Sequence, residues 1–353
     1  MSENLHIPVM LNESLDYLEQ IIIRYQKQNP RIKNKVWQVM DGTLGGGGYT
    51  IAIIQLFQKY KQSYQIYSSD LDSVAITRVG ERLVNELAFA KSEGHKPQFI
   101  TKYQLDYLLT NSPKIHQEIT LVQGNFADVA NQLREGSMDY IILDLGFSSN
   151  QLEVDHRGLS YLQISDSLDL RYDQDTRVEP LWLKLKHIKG HPELTKILFN
   201  SSGEKLSPRI AGRIIEARDR GLKIETVGDL VDIITESIPK IMYKNRYGIL
   251  SRVWQALRIW VNGEFEALEN FLPIAQIKLN SGGRIGIVSF HSLEDKIVAK
   301  NFRLVSQGVE IDDYGNKEFD FIHLTARALL PQQEEIESNS RSRSATMRVL
   351  ERV

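Results

Sequence analysis

The feature that most restricts how this chain can fold is a short apolar run, Lys35-Val-Trp-Gln-Val-Met-Asp41, that passes directly into Gly42-Thr-Leu-Gly-Gly-Gly-Gly48. Behind the glycines, Tyr49 to Tyr60 carries Ile51, Ile54 and Phe57 at helical spacing, so the local order is strand, glycine loop, helix. Glycines let a ligand approach the backbone closely and let main-chain N–H groups point at it, which makes this the opening of a nucleotide-binding half-fold. The rhythm continues with a strand over Gln65–Asp70, a helix from Ser73 to about Ala90, a strand over Ile119–Val122, a helix over Phe126–Leu133 and a strand over Asp139–Asp144. Alternation of this kind predicts an α/β fold with a parallel, doubly wound sheet.

After Asp144 the alternation stops. Residues 151–248 show helical periodicity and polar loops, and Ser251 to Lys278 reads as two long helices before strand character returns at Gly283–Phe290 and Ala345–Arg352. The expected division is therefore a discontinuous sheet domain, 1–150 with 250–353, interrupted by an all-helical domain over 151–249. Lys91–Glu118 and Gln307–Glu318 are polar, broken by Gly or Pro, and read as loops.

A chain of 353 residues, 42% of them hydrophobic, holds more than one typical domain. The absence of cysteine excludes disulfides and thiolate zinc sites, and nothing suggests another metal. Met1–Asn12 lacks a basic stretch followed by an apolar run, and no segment has the length and apolarity of a membrane span, so the expectation is a soluble, cytoplasmic protein with no membrane partner. A formal net charge of −2 gives no broad field for a polyanion, so any such contact must be local. Arginines gather at Arg209, Arg213, Arg218 and Arg220, and again at Arg341, Arg343 and Arg348; either run is equally readable as a solvated face.

The glycine loop is not a dinucleotide fingerprint. The frame from Gly45 gives Gly45-x-Gly47-x-x-Thr50, without the third small residue, and no Lys-Ser/Thr pair follows as in a triphosphate loop. Asp70, about 20 residues beyond the glycines, has the reach to hold the two ribose hydroxyls of an adenosine. Asp72 competes for that role, and Asp70 could equally cap the helix starting at Ser73. Phe126, after the third strand, either flanks an adenine or belongs to the core. Ligands of open α/β sheets bind at the carboxyl ends of the strands, where this chain reads Asp144-Leu-Gly-Phe-Ser-Ser-Asn-Gln151. Many amino-methyltransferases carry an acid or amide, two prolines and an aromatic here; Asp144 and Phe147 stand at the corresponding ends, with Leu145 and Gly146 in place of the prolines. The last long strand runs into Ser289-Phe-His-Ser-Leu-Glu-Asp295, where Ser292 and Asp295 are spaced as a capping box and His291 either faces the same cleft or is structural.

Taken in order, His6–Glu13, Asp41–Gly48, Asp144–Ser149 with Gln151, Arg157-Gly158, Leu168–Arg171, Gln255–Asn262, Gly282–Asp295 and Arg341–Ala345 resemble the ribosomal RNA small-subunit methyltransferase H family across nearly the whole chain. The resemblance implies a Rossmann-like S-adenosylmethionine-dependent methyltransferase sheet with an inserted helical domain that helps bind substrate. It implies methylation of N4 of a cytidine in the decoding region, with a small ribosomal subunit, assembled or nearly so, as partner; a homodimer is left open. Cofactor contacts carry over to Gly47, Gly48, Tyr49, Asp70, Phe126, Asp144 and Gln151, while Asp144, Phe147 and His291 stand where chemistry is expected. The chain departs from the family at Tyr49, Phe147, Asp166-Ser167, Ser207-Pro208 and Tyr247–Arg252. The rival readings are a catalytically weak cofactor-binding assembly factor and, further off, an NAD-dependent oxidoreductase.

Overall fold

A computed structural model describes residues 8–30, 35–86, 98–101, 104–105, 118–146, 156–174, 178–310 and 317–353. Along the chain come α1 (Leu11–Gln28), β1 (Val36–Asp41), α2 (Gly48–Lys59), β2 (Ser63–Asp70), α3 (Ser73–Glu86), β3 (Gln98–Thr101), β4 (Glu118–Gln123), α4 (Phe126–Gln132) and β5 (Met138–Asp144). Among the described residues five α-helices follow, α5 (Leu181–His187), α6 (His191–Ser202), α7 (Ser207–Asp219), α8 (Val227–Ser237) and α9 (Arg246–Asn262), with a 3-10 helix over Lys240–Asn245 between the last two. The remainder is α10 (Glu264–Lys278), β6 (Leu279–Ser289), α11 (Ser292–Val305), β7 (Val309–Glu310), β8 (Lys317–Glu318), β9 (Phe321–His323), α12 (Gln333–Ser338) and β10 (Thr346–Arg352). The chain packs into two compact units, Met1–Gly146 with Glu266–Val353, and Phe147–Phe265.

The first unit is built on one sheet, ordered β3-β4-β2-β1-β5-β6-β10-β9 among the described residues. Pairs from β3 to β6 are parallel, and β10 runs antiparallel to both of its neighbours. Strands covered on both faces read as nearly unbroken apolar runs, and successive residues serve opposite sides. Thus Val39 and Ile142 join one core with Trp37, Phe57 and Tyr64, while Met40, Ile141 and Leu143 join the other with Phe271 and Phe302. On the first side Phe57 stacks on Tyr64 with ring centroids 5.3 Å apart. The strand order turns back at β1, which has β2 on one side and β5 on the other, so a crevice opens at their carboxyl ends.

Several elements depart from the expected string. α1, not among the expected elements, buries Leu18, Ile21 and Ile22. β3 lies inside a stretch expected to be loop; four residues on a sheet edge leave too little periodicity to be read. The rest of the Lys91–Glu118 expectation, apart from residues 104–105, falls largely outside the described residues. Within Gln307–Glu318, β7 and β8 pair antiparallel, and β9 adds an edge strand to β10. β6 begins at Leu279, directly after α10.

The second unit has its own core, with Leu168, Leu170, Leu194, Leu198, Ile210, Ile214, Leu230 and Ile234 buried together. α9 belongs here: Ile249, Leu250, Val253, Trp254, Leu257 and Val261 point into that core, and Trp254 Nε1 donates to the Gly158 carbonyl at 2.9 Å. The border between units consequently falls at Phe265/Glu266 rather than at 249/250, because the apolar face of α9 is committed before the chain returns to the sheet. The opposite border falls at Gly146/Phe147. Ser207-Pro208, where the chain departs from the family, begin α7, where a missing N–H has no intrahelical partner to lose. The α7 arginines are largely neutralised on their own helix, Arg213 by Glu216 at 2.9 Å, Arg220 by Glu216, and Arg218 by Asp219 at 2.8 Å.

Candidate active site

The glycine loop is shaped by its own backbone and by what packs on it. Gly45 and Gly47 have φ of +49° and +79°, conformations that a side chain disfavours. A Cβ on Gly47 would come within 2.6 Å of Val79 Cγ1, and one on Gly48 within 2.2 Å of Pro8 Cγ. Glycine is thus required at both positions by neighbours from α3 and the N-terminal segment. Gly46 differs: a Cβ there would meet nothing within 4 Å, so that part of the loop faces open space. The loop is tied to the sheet by Leu44 N donating to Ser69 O at 2.8 Å and Gly42 N to Ile142 O at 2.9 Å.

Three strands of the large sheet end in acids. Asp41, buried at the end of β1, accepts from Thr50 Oγ1 at 2.6 Å and Thr43 N at 3.2 Å. Burial pushes its pKa up to about 6. Asp70, ending β2, accepts from Gly45 N at 2.8 Å and Asp72 N at 2.9 Å, and burial pushes it up to about 6 as well. Helix capping falls to Asp72, whose Oδ1 accepts from Val74 N at 3.0 Å, so Asp70 holds the glycine loop instead. Asp144, ending β5, is pushed up to about 7 by burial, with Asp41, Glu294 and Glu335 adding repulsion and the Gly146 N–H opposing it. Gly146 N donates to Asp144 Oδ1 at 3.2 Å, and Asp144 N donates to Thr43 Oγ1 at 2.7 Å, which fastens β5 to the β1 loop.

His291 caps α11. Its Nδ1 accepts from Glu294 N at 3.4 Å, its Nε2 sits 2.9 Å from Glu294 Oε1, and Glu294 Oε2 accepts from Phe290 N at 2.9 Å. The capping box is therefore His291/Glu294, one residue earlier than the Ser292/Asp295 spacing suggests. Asp295 instead binds Arg348 through two contacts of 2.6 and 3.0 Å. Tyr49 is buried, and its hydroxyl donates to Val9 O, so its donor is spent inside the core. Phe126 is half-buried and meets Phe271 edge to face at 5.2 Å. Phe147 and Gln151 lie outside the described residues. Gly45, Asp70 and Asp144 come together with Asp41 at the strand ends, and sequence reasoning passed over Asp41, Thr43, Glu294 and Glu335. A carboxylate ending an apolar strand is a legible signal for Asp41; nothing local marks Glu335, which arrives from α12 and accepts from Met10 N at 2.7 Å. No group of potential metal ligands occurs among the described residues.

The crevice thus offers an open glycine face beside five carboxyl groups. All three strand-end acids, Asp41, Asp70 and Asp144, are held high in pKa, with no compensating cation among the described residues. Such a donor set suits an adenosine ligand that carries positive charge, as S-adenosylmethionine does on its sulfonium and its ammonium groups. Fold and crevice together define a Rossmann-like, S-adenosylmethionine-dependent methyltransferase.

A sequence profile of the MraW methylase family matches residues 105–353. Ribosomal RNA small subunit methyltransferase H of Chlorobium phaeobacteroides is 32% identical over 98% of this chain and 95% of that protein. The protein of the same name from Neorickettsia sennetsu is 33% identical over 99% and 97%. The chain belongs to the MraW methylase family. A solved rRNA methylase from Streptococcus thermophilus covers 100% of this chain and 99% of its own at 11% identity and a TM-score of 0.36, too low to add to the fold assignment.

Proposed function

We propose that this chain transfers a methyl group from S-adenosylmethionine to the N4 amine of a cytidine in the decoding region of small-subunit ribosomal RNA. Family membership makes it an S-adenosylmethionine-dependent ribosomal RNA methyltransferase. The observation that carries the reading further is Asp144, whose strand-end carboxyl group is pushed up to about 7 and accepts from the Gly146 N–H, while its main-chain N–H is held by Thr43.

Bound in the crevice, the cofactor supplies a methyl group on a positively charged sulfur. Asp70 already takes one N–H on each oxygen, and its remaining lone pairs can accept from ribose hydroxyls. Phe126 offers a half-buried ring to the adenine. The N4 nitrogen of cytosine gives its lone pair to the ring and is a poor nucleophile. An acceptor that holds an amine proton, such as Asp144, localises that pair and aims it, and aiming supplies much of the acceleration. His291 and Glu294 act on this arrangement as neighbours: together they fix the end of β6, and Glu294 repels charge on Asp144. By family resemblance Gln151 adds a cofactor contact; Phe147, where the chain departs from the family, stacks on the target base by analogy with other amino-methyltransferases.

The target must leave its stack to reach the strand ends, which costs least in an irregular region of RNA. With a net charge of only −2, the chain needs a shaped target rather than bare polyanion, so the substrate is an assembled or nearly assembled small subunit in the cytoplasm, registered with help from the helical unit. A homodimer is compatible with this role. The test is nucleoside mass spectrometry of ribosomal RNA from cells with and without the gene, together with methyl transfer by purified protein to subunits lacking the modification. N4-methylated cytidine is expected, with much weaker activity on protein-free RNA. Another product, or efficient methylation of duplex DNA, overturns the reading; cofactor binding without transfer to any particle would leave an assembly factor.

A further inference from the structure

The acidic crevice repels the phosphates of the RNA it must receive, so attraction has to come from elsewhere on the catalytic unit. α11 carries Lys296, Lys300 and Arg303 at i, i+4 and i+7, all exposed on one helix face that begins just past Glu294. None of the three forms an ion pair among the described residues. They line a groove of about 540 Å³ whose other wall is His323 on β9 and Arg348 on β10. Arg348 is held in place by Asp295, with Nε to Oδ1 at 2.6 Å. His323 packs edge to face on Phe302 at 5.5 Å, and its buried Nε2 has no hydrogen-bond partner among the described residues. A cationic stripe and a pinned guanidinium face one groove, with the His323 ring forming part of its wall.

We infer that the groove between α11 and the β9–β10 edge holds the sugar–phosphate backbone of the RNA strand that carries the target base. The inference rests on the proposed function for the identity of the RNA, and on the groove alone for its mode of binding. From Lys296 to Arg303 the helix rises about 10 Å, so the stripe meets more than one phosphate, while Arg348, tied to Asp295 and to the Ala326 carbonyl, presents its remaining N–H groups from the opposite wall. Contacts of this kind position a strand without reading its sequence. The acids of the crevice and the cations of α11 therefore act as a pair, one selecting the charged cofactor and the other the polyanion.

The test uses the full-length protein with Lys296, Lys300 and Arg303 all changed to Ala, beside a charge-conserving variant, Lys296→Arg, Lys300→Arg and Arg303→Lys. Unchanged S-adenosylmethionine affinity in titration calorimetry reports that the fold and crevice are intact. Binding of a small-subunit RNA fragment, followed by fluorescence anisotropy over a salt series, should weaken at least ~10-fold in the alanine variant. Its log–log salt slope should shrink by roughly 2, as expected for three lost phosphate contacts on single strands. The charge-conserving variant should restore both. KM for small subunits should rise while kcat holds. Unchanged RNA affinity and slope in the alanine variant overturn the inference, as does weaker binding of subunits with undiminished binding of protein-free RNA, which would point to an acidic ribosomal protein. Methyl transfer to a different nucleotide would overturn the proposed function yet leave the salt slope to judge the groove.

Discussion

The elevated pKa of Asp144 ties cofactor binding to pH. An acid near 7 is ionised in roughly one molecule in ten at pH 6 and in roughly nine in ten at pH 8. Burial and neighbouring carboxylates favour the proton, whereas a bound sulfonium or ammonium favours the carboxylate. If the cofactor takes the ionised form, affinity should rise about tenfold between pH 6 and pH 8, worth about 1.4 kcal/mol, with a proton released on binding. Stability of the free protein runs the other way. The folded state binds Asp144's proton more tightly than the unfolded chain, so this group's contribution falls as pH rises from about 4 through about 7. Titration calorimetry at both pH values, in buffers of different ionisation enthalpy, measures affinity and proton count together. Asp144→Asn cannot titrate and should flatten the dependence above pH 7, where Asp41 and Asp70, each near 6, are already ionised. An affinity in the wild type that is level or falls with pH, or an Asn variant that keeps the full slope, would refute the reasoning.

Asp70→Ala removes the anchor of Gly45 and the proposed ribose acceptor, so S-adenosylmethionine affinity should fall by about 2 to 3 kcal/mol in calorimetry; no change would move the role to another acid. Tyr49→Phe leaves the Val9 carbonyl without its donor and should cost about 1 to 2 kcal/mol in denaturant unfolding, with cofactor affinity intact; a loss of affinity alone would instead make Tyr49 a cofactor contact. Leu257→Ala opens a hole in the helical unit's core and should cost about 2 to 5 kcal/mol there, seen by hydrogen exchange, while cofactor binding persists.

The sheet was legible because its inner strands are buried on both faces and cannot hide their composition, and because the glycine run after β1 has few structural uses. Spacing points to Asp70 and Asp72 alike; only the bonds to Val74 and Gly45 show that Asp72 caps α3 while Asp70 holds the glycine loop. The His291/Glu294 box was misread by one residue, since Ser and Asp are the commoner capping pair and a histidine acceptor leaves no sequence signature. The end of the helical unit was placed short because α9 and α10 look alike along the chain; which core each serves is a tertiary fact. Short edge strands such as β3 and β9 carry too few residues to show a period. Glu335 entered the crevice's electrostatics from the far end of the sequence, where no local pattern announces it.

The register that pairs Asp144 with Val288 has a consequence for how this protein is made. β5 leaves the ribosome long before β6, and the whole of Phe147–Phe265 is synthesised in between. Until β6 arrives, β5 presents an open row of main-chain donors and acceptors, the kind of edge that recruits foreign strands. Closing so long a loop costs entropy before the new ladder returns any of it, so the β5–β6 step belongs to the slow, late phase of folding. The helical unit, with a core drawn from contiguous sequence, can condense first and shorten the effective span between the two strands. A helical unit that condenses before β6 is made replaces a floppy connection with a folded one while the nascent sheet is still open.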